Sequence, residues 1–321
     1  MRIGIPRSLL YYYYYPFWKS LFKTLNSELV LSDTTSIELL NKGVKESISE
    51  ICVPIKVYIG QVLDLLEKGV DKIYIPRFVS IRESVTFCPK FLGLPDMIRH
   101  SLTGFDGKIL THHIRSKTDD ISNYENYTSF KEIFNVSELK LKEALKTAQD
   151  EWIKFRGLQK DGFKTEHLLK GKKVRRSEGS LNIGLLGYVY NMYDKYISMD
   201  LINRLEEMDV SVTTFEMIGE DLIDDYVKGL EKPMFWEFTN KLLAIGYYYM
   251  NSADIDGIIH VTAFGCGPDS ILGAFLEIDA NQANKPFMTL RIDEQTGESH
   301  LLTRIEAFID LLKLSKSREI I

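Results

Sequence analysis

Short apolar runs alternate with longer amphipathic stretches along the whole chain. Arg2–Ile5 reads as a first strand, and residues 12–25 as a helix with Phe17, Leu21, Phe22 and Leu25 on one face. Glu28–Leu31 is the next strand, and Ser32 and Asp33 are candidates to cap the helix that follows. Residues 56–68 are amphipathic, 72–75 form a short apolar strand stopped by Pro76, and 108–110 form another. A long polar helical region covers about 122–159. The alternation then restarts. Strands are expected at 181–186, 210–213, 257–261 and Phe287–Ile292, and helices at 196–208, 233–251 and 299–314. Pro233 suits a first helical turn. Residues 257–261 are almost purely apolar, as a central parallel strand requires.

Strand–helix alternation in both halves predicts an α/β protein of two doubly wound parallel-sheet domains, Rossmann- or flavodoxin-like. The expected boundaries are 1–119 for the first domain, 120–180 for a helical connector and 181–321 for the second. A chain of 321 residues exceeds the size at which one core keeps growing, which agrees with two domains. In such sheets ligands bind beyond the carboxyl ends of the strands, so the loops there carry the chemistry.

Composition narrows the function classes. Apolar residues make up 45% and charged residues 26%, ordinary for a globular protein. The net charge of −5 argues against nucleic acid as the main partner. A basic cluster at residues 170–176 reads as a solvated loop, with an anion site as the competing reading. No stretch reaches the ~20 apolar residues of a membrane helix. Met1 leads directly into the first strand, so neither a signal peptide nor a membrane span is expected, and a cytoplasmic location follows. In that compartment three cysteines do not suggest a disulfide framework.

Those three cysteines, Cys52, Cys88 and Cys266, all sit beside Pro or Gly in loop-like contexts. Cys266 follows the apolar run in Phe264-Gly265-Cys266-Gly267-Pro268-Asp269. Gly265 and Gly267 allow the backbone to approach a bulky group, and Pro268 starts a helix whose N–H groups would face it. Thiolates and a negatively charged cluster gain from such a helix terminus. Three readings stay open on the residues alone. The cysteines are small core residues, or ligate zinc with one of His112, His113, His260 or His300, or ligate an iron–sulfur cluster.

Further motifs carry a resemblance. Gly4-Ile5-Pro6-Arg7, Leu10 to Tyr13 and Pro16-Phe17-Trp18 are similar to the start of acyl-CoA dehydratase activase-related proteins. These resemble the β-subunit of 2-hydroxyacyl-CoA dehydratases and the double-cubane cluster proteins. The match continues through Ser32-Asp33, through Glu50, Cys52, Pro54 and Lys56, and through Ile75-Pro76-Arg77. It includes Cys88-Pro89-Lys90 with Leu94-Pro95-Asp96, the Cys266 block through Ser270, and Ile292 to Glu298.

The resemblance implies a [4Fe–4S] cluster on Cys52, Cys88 and Cys266 with one iron left open, or a double-cubane [8Fe–9S] cluster. It implies an oxygen-sensitive protein of anaerobic metabolism. Electrons would come from an ATP-dependent activase of actin-like fold, and the substrate would be small, such as an acyl-CoA. It also implies a dimer. No P-loop or G-x-G-x-x-G loop occurs here, so the activase is expected to be a separate chain. The competing functions are a non-catalytic electron carrier or scaffold and a zinc-containing or metal-free ligand-binding protein.

The candidate catalytic residues are Glu50, Lys56, Lys90 and Asp269. The lysines could meet an anion or lower a thiol pKa, against the plainer reading of helix-start charges. Asp269 reads foremost as a first-turn stabiliser. Asp293, Glu294, Glu298 and His300 form an acid-rich loop after a buried strand. In the run Tyr11 to Tyr15, two or three rings are expected in the core and the rest on a rim.

Overall fold

A computed structural model describes residues 1–83, 85–102 and 107–319, the last without its side chain. Among the described residues, ten strands form two four-stranded parallel sheets and a two-stranded parallel ladder. They are β1 (Arg2–Ile5), β2 (Glu28–Leu31), β3 (Lys72–Tyr74), β4 (Arg77–Ser80), β5 (Ile109–Leu110) and β6 (His113–Arg115) in the first half. The second half has β7 (Leu181–Gly187), β8 (Val210–Thr214), β9 (Gly257–Ala263) and β10 (Phe287–Ile292).

The chain divides into two compact units, residues 1–158 with 168–172 and 235–237, and the remainder of 159–321. The first holds the sheet β2-β1-β3-β5 and the ladder β4-β6, the second the sheet β10-β9-β7-β8. Counted along the chain within each sheet, the order is second, first, third, fourth. The chain therefore winds outward one way to its second strand and then reverses. Right-handed crossovers put helices on both faces, and a crevice opens at the reversal. This is the α/β, flavodoxin-like architecture expected from the alternation. In the second unit β7, β8 and β9 are buried almost throughout, as strands of a parallel sheet covered on both faces are.

In the first unit the organising helix is α1 (Tyr11–Thr24). Four tyrosines of its run, Tyr11, Tyr13, Tyr14 and Tyr15, are buried, more than the two or three expected. The reason is a second layer. The long helix of residues 138–160 covers the outer side of α1 with Trp152 and Phe155. Tyr14 stacks on Trp152 at 5.6 Å and on Phe78 of β4 at 5.4 Å. The indole N–H of Trp152 donates to the Tyr13 carbonyl at 2.9 Å.

Two glycines set the next contact. The helices α2 (Ile37–Lys45) and α3 (Val53–Glu67) cross at Gly43 and Gly60. A Cβ at Gly43 would sit 1.8 Å from the Lys56 carbonyl oxygen, and one at Gly60 would sit 2.1 Å from that of Leu39. The expected caps Ser32 and Asp33 do not start α2. Ser36 does, accepting from the Leu39 N–H. Ser32 is instead buried and accepts from the Arg7 N–H. The helix expected at 196–208 starts at Leu201, because Met199 and Asp200 take φ of 52° and 55°.

His112 is buried between two partners. Its Nδ1 faces the Asn126 carbonyl at 2.8 Å and therefore carries the proton. Its Nε2 then accepts from the Tyr74 hydroxyl at 2.8 Å. Burial lowers its pKa to about 3.

Two predictions follow from this packing. Gly60→Ala, which drives a methyl into backbone rather than into a mobile side chain, is expected to destabilise the first unit by about 1–3 kcal/mol. Trp18, Trp152 and Trp236 all belong to that unit, so tryptophan fluorescence during denaturant unfolding reads it directly, and an unchanged midpoint would contradict the contact. Unfolded His112 titrates near ~6.5. Between that value and about 3 the unfolded chain holds the extra proton, so the stabilisation is complete above the unfolded pKa and lost as pH falls. Lowering pH from about 7 to about 4.5 should cost the first unit about 2–3 kcal/mol on this account. A His112→Gln variant should lose that part of the pH dependence whatever its baseline.

Candidate functional site

All three cysteines occupy the same kind of position. Cys52 is the residue before α3, with φ −64° and ψ 148°, and Pro54 stands in the first turn. Cys88 precedes the short helix Pro89–Leu92 with φ −60° and ψ 154°. Cys266 precedes α4 (Gly267–Gln282) with Pro268 in the first turn. Each is thus a helix N-cap in extended conformation followed by Pro, and each is half-buried. Proline is tolerated there because the first N–H groups have no partner within the helix. None of the three is in a disulfide.

Cys52 and Cys88 belong to the first unit and lie close enough to interact electrostatically. Their helices are anchored by the same aromatic cluster. Tyr58 of α3 and Phe91 after Cys88 line a small hole with Trp18, Tyr74 and Phe78, of about 20 Å³. Ring contacts run from Phe78 to Phe87 at 5.3 Å and from Phe87 to Phe91 at 5.8 Å. This crevice, at the reversal between β1 and β3, is filled with side chains.

Burial is the main influence on both thiols and raises each pKa above the ordinary value. The N–H of Ile55 works the other way at Cys52, as do the N–H groups of Phe91 and Lys90 at Cys88. The Lys90 ammonium also favours the charged form of both. A thiol held neutral by burial but surrounded by donors is suited to being charged only when a cation arrives.

Cys266 lies in the second unit, at the reversal between β7 and β9. Gly265 before it has φ +75°, which requires glycine. Gly267 after it has ordinary backbone, and a Cβ there would meet no described atom within 4 Å. Beneath the start of α4, His260 of β9 bonds Asp269 through Nε2 at 3.0 Å. Both side chains are fully buried, and His260 Nδ1 and Asp269 Oδ2 have no partner among the described residues. Along its length α4 presents Ile271, Phe275 and Ile278 to solvent at 45, 48 and 57%, and Phe264, two residues before Cys266, is 68% exposed. Their spacing makes one apolar stripe.

The other candidates separate into exposed and anchored groups. Glu50 is exposed, and its own N–H and Ser49 hold its carboxyl below the usual range. Lys90 is half-buried beside both thiols. Lys56 is buried and donates to the Ser49 carbonyl at 3.0 Å, fastening the turn before Cys52. Of the histidines, His112 has both ring nitrogens engaged, His113 and His300 are exposed, and His260 is paired with Asp269. Asp293 forms a local turn, accepting from the Gln295 N–H and the Thr296 hydroxyl. Among the described residues, no group of three or more His, Cys, Asp or Glu side chains stands at metal-ligand spacing.

One buried group escaped sequence reasoning. Asn191 follows β7 at the same reversal, is 1% exposed, and neither amide atom has a partner among the described residues. A lone amide amid Tyr188 to Tyr193 was its single signal. Buried polar atoms are normally satisfied, so this side chain stands out.

The thiol environments predict a pH profile. Alkylation needs the thiolate, and both pKa values in the first unit are raised. In a Cys266→Ser background, iodoacetamide labelling of the metal-free protein should be slower near neutrality than for a model thiol. It should still be climbing where the model thiol has levelled, above about pH 9. A plateau at or below the model thiol's pH would contradict the assigned burial.

Residues 2–218 match the family model described as CoA enzyme activase uncharacterised domain. The matched stretch contains Cys52 and Cys88 and ends before Cys266. A search of curated proteins found no match. The match covers more than half of the 321 residues, and the chain belongs to that family.

Proposed function

From membership of that family, we propose that the chain is an iron–sulfur redox protein that works with a separate ATP-dependent activase of actin-like fold. Cys52, Cys88 and Cys266 are the thiolate ligands, and the substrate is small, of the acyl-CoA class. The observation that carries the reading is the repeated local geometry: three of three cysteines are helix N-caps followed by Pro. Chance core cysteines would not share one backbone position with a Pro one or two residues on. The donor set fits a cluster. It is all sulfur, it carries N–H donors aimed at the thiols, and at Gly267 the chain leaves space that a side chain would fill.

A [4Fe–4S] cluster held by three thiolates would supply one-electron chemistry at low potential and a Lewis-acidic iron with an open position. The residues of the chain do the rest. Each thiol would give up its proton on ligation, and the N–H groups of Ile55, Lys90 and Phe91 would donate to the sulfurs of Cys52 and Cys88. Lys90 offsets the negative charge and stands where an anionic substrate would meet it. Lys56 and Asp269 are positioning groups, the first through the Ser49 carbonyl and the second through His260. Glu50 is the exposed acid nearest in sequence to a ligand and is assigned to proton transfer at the substrate. The apolar stripe beside Cys266 supports a protein partner at that face.

The test is iron and acid-labile sulfide on protein purified without oxygen. On the order of four irons per chain is expected for one cubane, and on the order of eight for a double cubane. Cys52→Ser, Cys88→Ser and Cys266→Ser should each reduce the content. Zinc in place of iron, or no metal, would sink the reading. Turnover with activase and ATP then separates an enzyme component from an electron carrier.

A further inference from the structure

A groove of about 650 Å³ opens in the first unit between α1 and the C-terminal half of the helix of residues 138–160, with Leu168 and Leu169 along one side. That volume is within the range of small-molecule sites, about 300–1,000 Å³. None of the cysteines or candidate catalytic residues lines it.

Its floor is apolar. Tyr15 and Phe155 are buried, and Leu158, Leu168 and Leu169 are half-buried. Its rim carries a net positive charge, with Lys19 and Lys23 on one side and Lys154 with Glu151 on the other. Lys154 has an acidic neighbour, Glu151, at 3.8 Å. Lys19 and Lys23 have none among the described residues, and α1 contains no acidic side chain at all. The two stand four residues apart on one helix face, where like charges repel. Lys23 lies in the last turn and gains from the helix dipole. Lys19 lies mid-helix and does not. Its nearest described partner is the Tyr15 ring, 6.0 Å away. Lys170 and Lys172 flank Gly171 at the wall, so the basic cluster noted in the sequence adjoins the same opening. This local excess of positive charge arises in a chain whose net charge is −5.

We propose that this groove binds a small amphipathic anion: an alkyl chain ending in a carboxylate or phosphate. The chain lies on Tyr15, Phe155 and the three leucines, and the head group sits between Lys19 and Lys23. An inorganic anion would leave the apolar floor without a partner, and a neutral hydrocarbon would leave the lysine repulsion unrelieved. Only a ligand with both parts answers both features.

The experiment is calorimetric titration of dodecanoate and of dodecyl phosphate, below their micelle concentrations, into the full chain. A saturable single site is expected for at least one of them, and the tighter of the two identifies the head group. Lys19→Glu with Lys23→Glu should weaken it by about tenfold or more, and so should a rise from low to high salt. Both lysines are exposed, so the double variant should keep its fold, checked by tryptophan fluorescence. Leu169→Asp should weaken both ligands through the floor. The proposal is overturned if the heats do not saturate. It is equally overturned if the charge-reversed variant binds as tightly as the parent, or if neutral dodecanol binds as tightly as dodecanoate.

Discussion

Burial of the aromatic run on α1 is the constraint on which the first unit depends. A helix that carries Tyr11, Tyr13, Tyr14, Tyr15, Phe17 and Trp18 as buried side chains has too much apolar surface for one sheet face. Aromatic side chains bury roughly 150–250 Å² each, and so they dominate the energetics of any surface they meet. The chain answers by placing β4 on one side of Tyr14 and Trp152 on the other. From Phe78 the ring contacts pass through Phe87 to Phe91, one turn beyond Cys88. The position of that thiol is thus a consequence of core packing that begins with the first helix.

The thiols show two opposed effects on one group. Desolvation favours the neutral form, whereas helix N–H groups and Lys90 favour the charged one. Burial wins at both Cys52 and Cys88, and their mutual repulsion adds to it at Cys52. Thiols placed this way stay protonated at neutral pH. A reactive nucleophile would need the balance reversed, with exposure and a lowered pKa. The same surroundings therefore argue against a catalytic thiol at either position.

The second unit meets the same requirement with different means. The Cys266 turn is set by the positive φ of Gly265, and the helix start above it rests on the buried His260–Asp269 pair. Removing one member of such a pair would leave the other buried and unpaired, which makes the pair a more rigid support than either residue alone. Asn191 stands at the same reversal of strand order with an unsatisfied amide. Both features thus stand where an α/β sheet offers its crevice.

The sequence by itself determined the α/β class, the strands of the two four-stranded sheets and the loops that hold the cysteines, but not the short ladder of β4 and β6. It could do so because periodicity and the neighbours of Gly and Pro are local properties. Glu28–Leu31 and Phe287–Ile292 were legible to the residue, since an apolar run bounded by turn residues leaves no other choice. The start of the helix at Leu201 was not, because two non-glycine residues with positive φ precede it. Ser32 looked like a cap and is a buried acceptor instead, a role fixed by the Arg7 N–H brought from another loop. Only tertiary structure decided that four tyrosines are buried, that Cys52 and Cys88 interact, and that His260 meets Asp269. It also decided that Lys19 and Lys23 face an apolar groove. Each of these depends on which distant segments share a surface, and contact between distant segments is set by the packing of whole helices and sheets rather than by any local run of residues.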